Sequence, residues 1–163
     1  MSRSSTILTE KLYKIINEMH CVAPLILTTV IGTVTHNLHF TNVSLRNRAV
    51  KLLGKLFSAE TSEMGTTFAP CYREWTGRIK DLDSGVRLTM SKYLLLVLRH
   101  GKLLDMWTYA IDSLCYSLDR DPSLKVRLSA VHRVCDLLYE DATFLPPKLI
   151  RSVGINSSPP MLR

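Results

Sequence analysis

Three stretches of this chain share one short pattern at a spacing of about forty residues, and that spacing limits the folds open to it. Val86-Arg87-Leu88-Thr89-Met90 lines up with Val126-Arg127-Leu128-Ser129-Ala130 forty residues later, and with Leu45-Arg46-Asn47-Arg48-Ala49 forty-one residues earlier. A period near 40 is the signature of helical repeats, in which one helix pair cannot bury its own apolar face and lends it to its neighbours. The expected product is all-α, an alpha-alpha superhelix (a solenoid) of about three helix pairs. Stacks of this kind present extended surfaces, so the pattern points to binding before catalysis.

The chain has 163 residues, enough for one domain that buries roughly 70% of its unfolded surface. Its apolar fraction of 46% and charged fraction of 21% are those of a folded protein. The 21 basic against 14 acidic side chains leave +7, which favours a polyanion or an acidic protein partner. Met1 to Thr6 is polar and leads into an amphipathic segment, so no secretory leader is expected. The apolar run Tyr93 to Leu98 is far shorter than the roughly 20 residues that span a bilayer. A soluble protein without a membrane partner is the expectation. Cys21, Cys71, Cys115 and Cys135 are too widely spaced for a disulfide scaffold or zinc knuckle and read as reduced core thiols.

Taken in order, Leu8, Leu12, Ile15, Ile16 and Met19 recur at helical spacing, which predicts a helix over Ile7 to Met19. Pro24 suits the first turn of a second helix reaching Leu38. Thr28, Thr29, Val30, Ile31, Thr33 and Val34 in it also suit a strand, but the repeat register favours a helix. Ser44 to Phe57 is the next helix, with Leu45, Ala49, Leu52, Leu53 and Leu56 on its core face, and Ser58 to Thr67 is a polar loop. Phe68 to Lys80 follows, with Phe68, Cys71, Tyr72, Trp75 and Ile79 facing inward.

The helix after the Asp81 turn is apolar on nearly every side from Tyr93 to Leu98, as a buried middle position requires, and Gly101 caps its end. Helices over Leu103 to Leu118 and Leu124 to about Tyr139 complete the third pair. Trp107, Ile111, Leu114, Cys115 and Leu118 form the core face of the former. A further helix begins within Phe144 to Ile150. Residues 1–150 are thus the helical domain and 151–163 a disordered tail. Asp81 precedes Arg87 by six residues, and Asp121 precedes Arg127 by six, so each turn acid is expected near the arginine of its own following helix. Position 40 is Phe40, which excludes the first repeat from such a ladder. Surface pairs of this sort contribute about 0 to 1 kcal/mol each.

Paired helices of this length, with Pro near the start of some first helices and a Val-Arg pair opening the second, resemble HEAT repeats. The likeness narrows in Ser44-Leu45-Arg46-Asn47-Arg48-Ala49-Val50-Lys51-Leu52-Leu53-Gly54-Lys55-Leu56-Phe57-Ser58. It continues through Phe68-Ala69-Pro70, Trp75, Arg78-Ile79-Lys80-Asp81, Val86-Arg87, Leu114-Cys115, Val126-Arg127 and Val134-Cys135-Asp136. That succession is similar to the cohesin-associated sister-chromatid cohesion proteins of the precocious-dissociation-of-sisters family, from about Tyr13 to Asp136. The chain departs from the family pattern in the longer turn Asp119 to Lys125 and at Tyr116 and Ser117. Family members are much longer solenoids, so the resemblance implies a piece of the N-terminal half or a shortened paralogue. It also implies a nuclear, chromatin-associated scaffold whose partners are cohesin subunits and the cohesin release and acetylation factors.

Chemistry beyond binding is not expected. His36 with His39, and His132 with Cys135, each offer two ligands where a structural zinc needs four, so no metal site or cofactor follows. The seven scattered glycines make no phosphate loop, and no nucleophile elbow or ordered acid accompanies any Cys and His, so the chain reads as no enzyme acting on a small-molecule substrate. Trp75, Trp107, Tyr72, Tyr93 and Tyr109 fall mostly on core faces and suit packing better than base stacking. Arg48, Lys51, Lys55, Arg73, Arg78 and Lys80 are the candidates for phosphate or acidic-peptide contact. A cohesin regulator is therefore expected. The alternatives are a HEAT adaptor of another nuclear pathway and a basic module contacting DNA.

Overall fold

The computed structural model describes residues 22–59, 64–100, 104–140 and 147–152, together with positions 11, 15, 16, 18 and 19. Its elements are α1 (Pro24–Asn37), α2 (Val43–Phe57), α3 (Met64–Thr67), α4 (Ala69–Gly77), a 3-10 turn (Arg78–Lys80), α5 (Ser84–His100), α6 (Leu104–Asp119), α7 (Leu124–Glu140) and α8 (Pro147–Ser152). The described elements are all helical, as the forty-residue period requires.

Local chemistry accounts for the helix starts. Proline stands in the first turn of α1 and of α4, where its missing N–H costs nothing. Asn42 caps α2 by accepting the amides of Ser44 (2.9 Å) and Leu45 (3.3 Å). Asp83 accepts the Val86 amide at 3.0 Å at the head of α5. The β-branched run in α1 is helical, because Leu27, Ile31, Val34 and Leu38 share a buried stripe at helical spacing. Burial overrides local strand propensity there.

The helices stack in two layers. The first helices of successive pairs touch, α1 on α4, α4 on α6 and α6 on α8, and the second helices do the same, α2 on α5 and α5 on α7. Helix α5 lies between α2 and α7 and also packs on α6, so Tyr93, Leu94, Leu95, Val97 and Leu98 are all buried. Close approach of α2 to α5 depends on Gly54, since a Cβ there would lie 2.7 Å from Tyr93 Cβ. Phe57, Tyr72 and Trp75 form an aromatic cluster with centroids 5.1 to 5.6 Å apart. The buried Trp75 indole donates to the Val50 carbonyl at 3.0 Å.

Several expectations need correction. Leu45 is exposed, because it falls just outside the stripe of Ala49, Leu52, Leu53 and Leu56 that α2 buries. The loop expected over Ser58 to Thr67 contains α3, whose Met64 is buried. Cys71 and Cys115 are buried thiols, but Cys135 is exposed. Arg151 and Ser152, expected in the tail, belong to α8. Most of the helix over Ile7 to Met19, the Gly101 cap, Cys21 and the tail beyond residue 152 lie outside the described residues.

Candidate interaction surface

Three arginines on equivalent turns of the second helices set the register of the stack. Arg46 at the start of α2 donates through Nε and Nη2 to the two carboxylate oxygens of Asp81, each at 2.9 Å. Arg87 of α5 does the same to Asp121, at 2.8 and 3.0 Å. The remaining nitrogen, Nη1, turns back to the carbonyls of the chain's own preceding turn: Phe40 and Thr41 for Arg46, and Asp81 and Leu82 for Arg87. In α7, Arg127 repeats the second half of this arrangement on the Asp121 carbonyl.

The pairing is therefore offset by one repeat from the expected one. Each carboxylate binds the arginine of the preceding pair, while the arginine six residues later takes the backbone carbonyls of that turn. Phe40 takes part through its carbonyl, so the first repeat does belong to the ladder. Nor are these surface pairs: the side chains of Asp81 and Asp121 are 2% and 0% exposed, and those of Arg46 and Arg87 are 11% and 8%. Asp81 also accepts the Asp83 amide, and Asp121 that of Ser123. Burial opposes the charge on Asp81, but the Arg46 fork, the Asp83 amide and nearby Arg78 outweigh it and hold its carboxyl below the ordinary carboxylate range. The bonds to Asp81 and Asp121 raise Arg46 and Arg87 in turn.

This register distributes the charges. Counting five residues on from each rung places Lys51, Lys92 and His132 in one row across the second-helix layer, all exposed. Helices α2 and α5 contain no Asp or Glu at all, whereas α6 contains Asp105, Asp112 and Asp119 and no Lys or Arg. The second-helix layer is thus the positive one.

The six basic candidates are divided. Arg48, Lys51 and Lys55 sit together on α2 in that layer. Arg73 is exposed on α4, and Lys80 lies over the Tyr116 ring at 5.3 Å. Arg78 turns inward to the Leu38 carbonyl (3.1 Å) and Asp81 (3.6 Å), so it serves the fold. Lys92, Arg99 and Arg133 were missed, although the spacing of Lys92 from Arg87, equal to that of Lys51 from Arg46, could have found the first. Among the aromatics, Tyr72, Trp75 and Tyr93 are buried and Trp107 half-buried, but Tyr109 is exposed. His39 pairs with Glu74 at 2.8 Å. Among the described residues no group of three or more His, Cys, Asp or Glu is placed to hold a metal, and no helix is long and apolar enough to cross a membrane.

Comparison with known proteins places this architecture. A family model described as sister chromatid cohesion protein PDS5 matches residues 1–154. Sister chromatid cohesion protein PDS5 homolog A of Danio rerio is 34% identical over 86 residues, which cover 53% of this chain and 6% of the relative. Its Homo sapiens counterpart is 30% identical over a stretch of the same extent. The chain thus aligns with a small part of the length of these relatives. A solved chain from a structure of the Pds5–Scc1 complex superposes with a TM-score of 0.76 at 21% identity, covering 93% of this chain and 23% of that one. This likeness shows the fold, a HEAT-type helical superhelix.

Proposed function

The chain belongs to the PDS5 family of sister chromatid cohesion proteins, and from that membership we propose that it is a non-enzymatic scaffold that regulates cohesin on chromatin in the nucleus. Its partners in this reading are cohesin subunits and the cohesin release and acetylation factors. The observation that carries the reading is the family match over residues 1–154, which takes in every described helix.

The mechanism is steric and electrostatic. A stack whose register is locked by buried arginine–carboxylate rungs holds its second helices as one rigid layer, and that layer offers a partner a fixed row of positive charge. In this reading the partner segment is held in place, and the opening or closing of the cohesin ring is biased accordingly.

Pull-down of cohesin subunits and of duplex DNA by the purified chain, at low and physiological salt, tests the proposal. Retention of a cohesin subunit at physiological salt is expected; failure to retain any would remove it. A sequence-indifferent contact with DNA is the second reading, favoured by the absence of acids from α2 and α5. It predicts retention of DNA alone, lost steeply between roughly 50 and 200 mM salt.

A further inference from the structure

Between α5 and α7 the second-helix layer is grooved. Buried Leu95 and half-buried Leu96 and Leu137 line a cavity of about 190 Å³. Lys92, Arg99, Arg133 and Asp136 complete its lining. Lys92, Arg99 and Asp136 are exposed, and the half-buried Arg133 is steadied by Ser129 Oγ, 3.4 Å from its Nε. We infer that this groove docks a short acidic, amphipathic peptide segment of a protein partner, with an apolar side chain seated on the leucines and carboxylates meeting the cations.

Three observations select that occupant. The cavity is below the roughly 300 Å³ at which small-molecule pockets begin, so it takes an anchoring side chain and not a whole metabolite. Three cations against one carboxylate favour an acidic partner, and Lys92 continues the row begun by Lys51 on α2, so the attraction extends past the groove. Three leucines in the lining are of no use to a phosphate backbone, and Asp136 would repel one. A helical segment with apolar residues at i and i+4 among Asp and Glu supplies both halves of the match.

The inference rests on the chain being a protein-binding scaffold and not on cohesin being what it holds. Fluorescence anisotropy of the full chain at about 150 mM salt tests it, with labelled peptides of about 12 residues in three sets and a labelled DNA duplex. The sets are acidic with Leu at i and i+4, acidic with Ser at those positions, and basic with Leu. Binding of the first set above all other probes is expected. It should weaken about tenfold or more in Lys92→Glu/Arg133→Glu, with the melting temperature unchanged. Lys92→Glu alone, an exposed change outside every ladder rung, should weaken it in the same direction. Equal binding of the Ser set, preference for the duplex, indifference to charge reversal, or no binding by any set would each overturn the inference. If the first set binds while no cohesin subunit is retained, the groove stands and the cohesin reading falls. If a subunit is retained while the set does not bind, the reverse holds.

Discussion

Arg46 and Asp81 stand in successive helix pairs and meet through two parallel hydrogen bonds of 2.9 Å, with both side chains nearly excluded from water. Neither could be buried alone, because an unpaired charge in a poorly solvated site costs several kcal/mol. The pair therefore works as a register pin: any slip of one repeat on the next would leave both charges stranded. Arg87 and Asp121 repeat the device one step along.

Removing one partner of a rung should be far worse than removing a surface charge. Asp81→Ala or Asp121→Ala is expected to lower unfolding stability by about 3 to 5 kcal/mol, while Asp119→Ala, an exposed acid at the end of α6, should fall within about 0.5 kcal/mol of the parent. Urea unfolding followed by circular dichroism measures the difference. Similar values for the three variants would remove the rungs as a source of stability.

The same pair sets an acid sensitivity. The folded state holds Asp81 below its ordinary value, so as pH falls the unfolded chain takes up the proton first. The contribution is complete above the ordinary aspartate pKa of about 3.9 and is lost as pH falls through the lower folded value. Urea midpoints measured from pH 6 downward should fall more steeply for the parent than for Asp81→Asn, which is weaker throughout but lacks this titration.

Gly54→Ala should destabilise although alanine is the better helix former by about 1 kcal/mol. The added methyl would lie under 3.0 Å from Cγ, Cβ and Cδ1 of the buried Tyr93 side chain, so the ring or the helix must shift. A net loss of about 1 to 3 kcal/mol is expected, the usual cost of overpacking. Thermal melts of Gly54→Ala and of Gly77→Ala, where a Cβ meets nothing within 4 Å, make the comparison.

Thiol chemistry should separate the described cysteines. Burial pushes the Cys71 thiol up to about 11, and a Thr35 hydroxyl 2.9 Å from its sulfur only partly offsets this, so almost no thiolate is present at neutral pH. Cys135 is exposed. Alkylation at pH 7.5 followed by peptide mass spectrometry should modify Cys135 within minutes and leave Cys71 and Cys115 untouched until urea is added. Early labelling of Cys71 would show that α1 and α4 part readily.

Much of this architecture was legible in the residues. The forty-residue period, the apolar stripes and the turn residues report local geometry, so α2, α4, α5, α6 and α7 fall close to their expected bounds. The two-sided burial of α5 followed from its run of apolar residues, and the core positions Cys71, Tyr72, Trp75 and Ile79 from helical spacing alone. The exposure of Cys135 was not legible, because burial at a helix face depends on whether another element covers it.

The ladder marks the boundary between the two kinds of knowledge. Residue order alone shows arginines recurring at 46, 87 and 127 and acids at 81 and 121, each acid in the turn before a second helix. Its nearest-neighbour arithmetic assigned Asp81 to Arg87. Tertiary structure reversed that assignment, because Arg87 spends Nη1 on the Asp81 and Leu82 carbonyls and reaches forward to Asp121 with Nε and Nη2. The groove between α5 and α7 has the same origin. Lys92 and Arg133 are forty-one residues apart in the chain, and only the stacking of whole helices, driven by apolar burial between repeats, sets them around the same leucines.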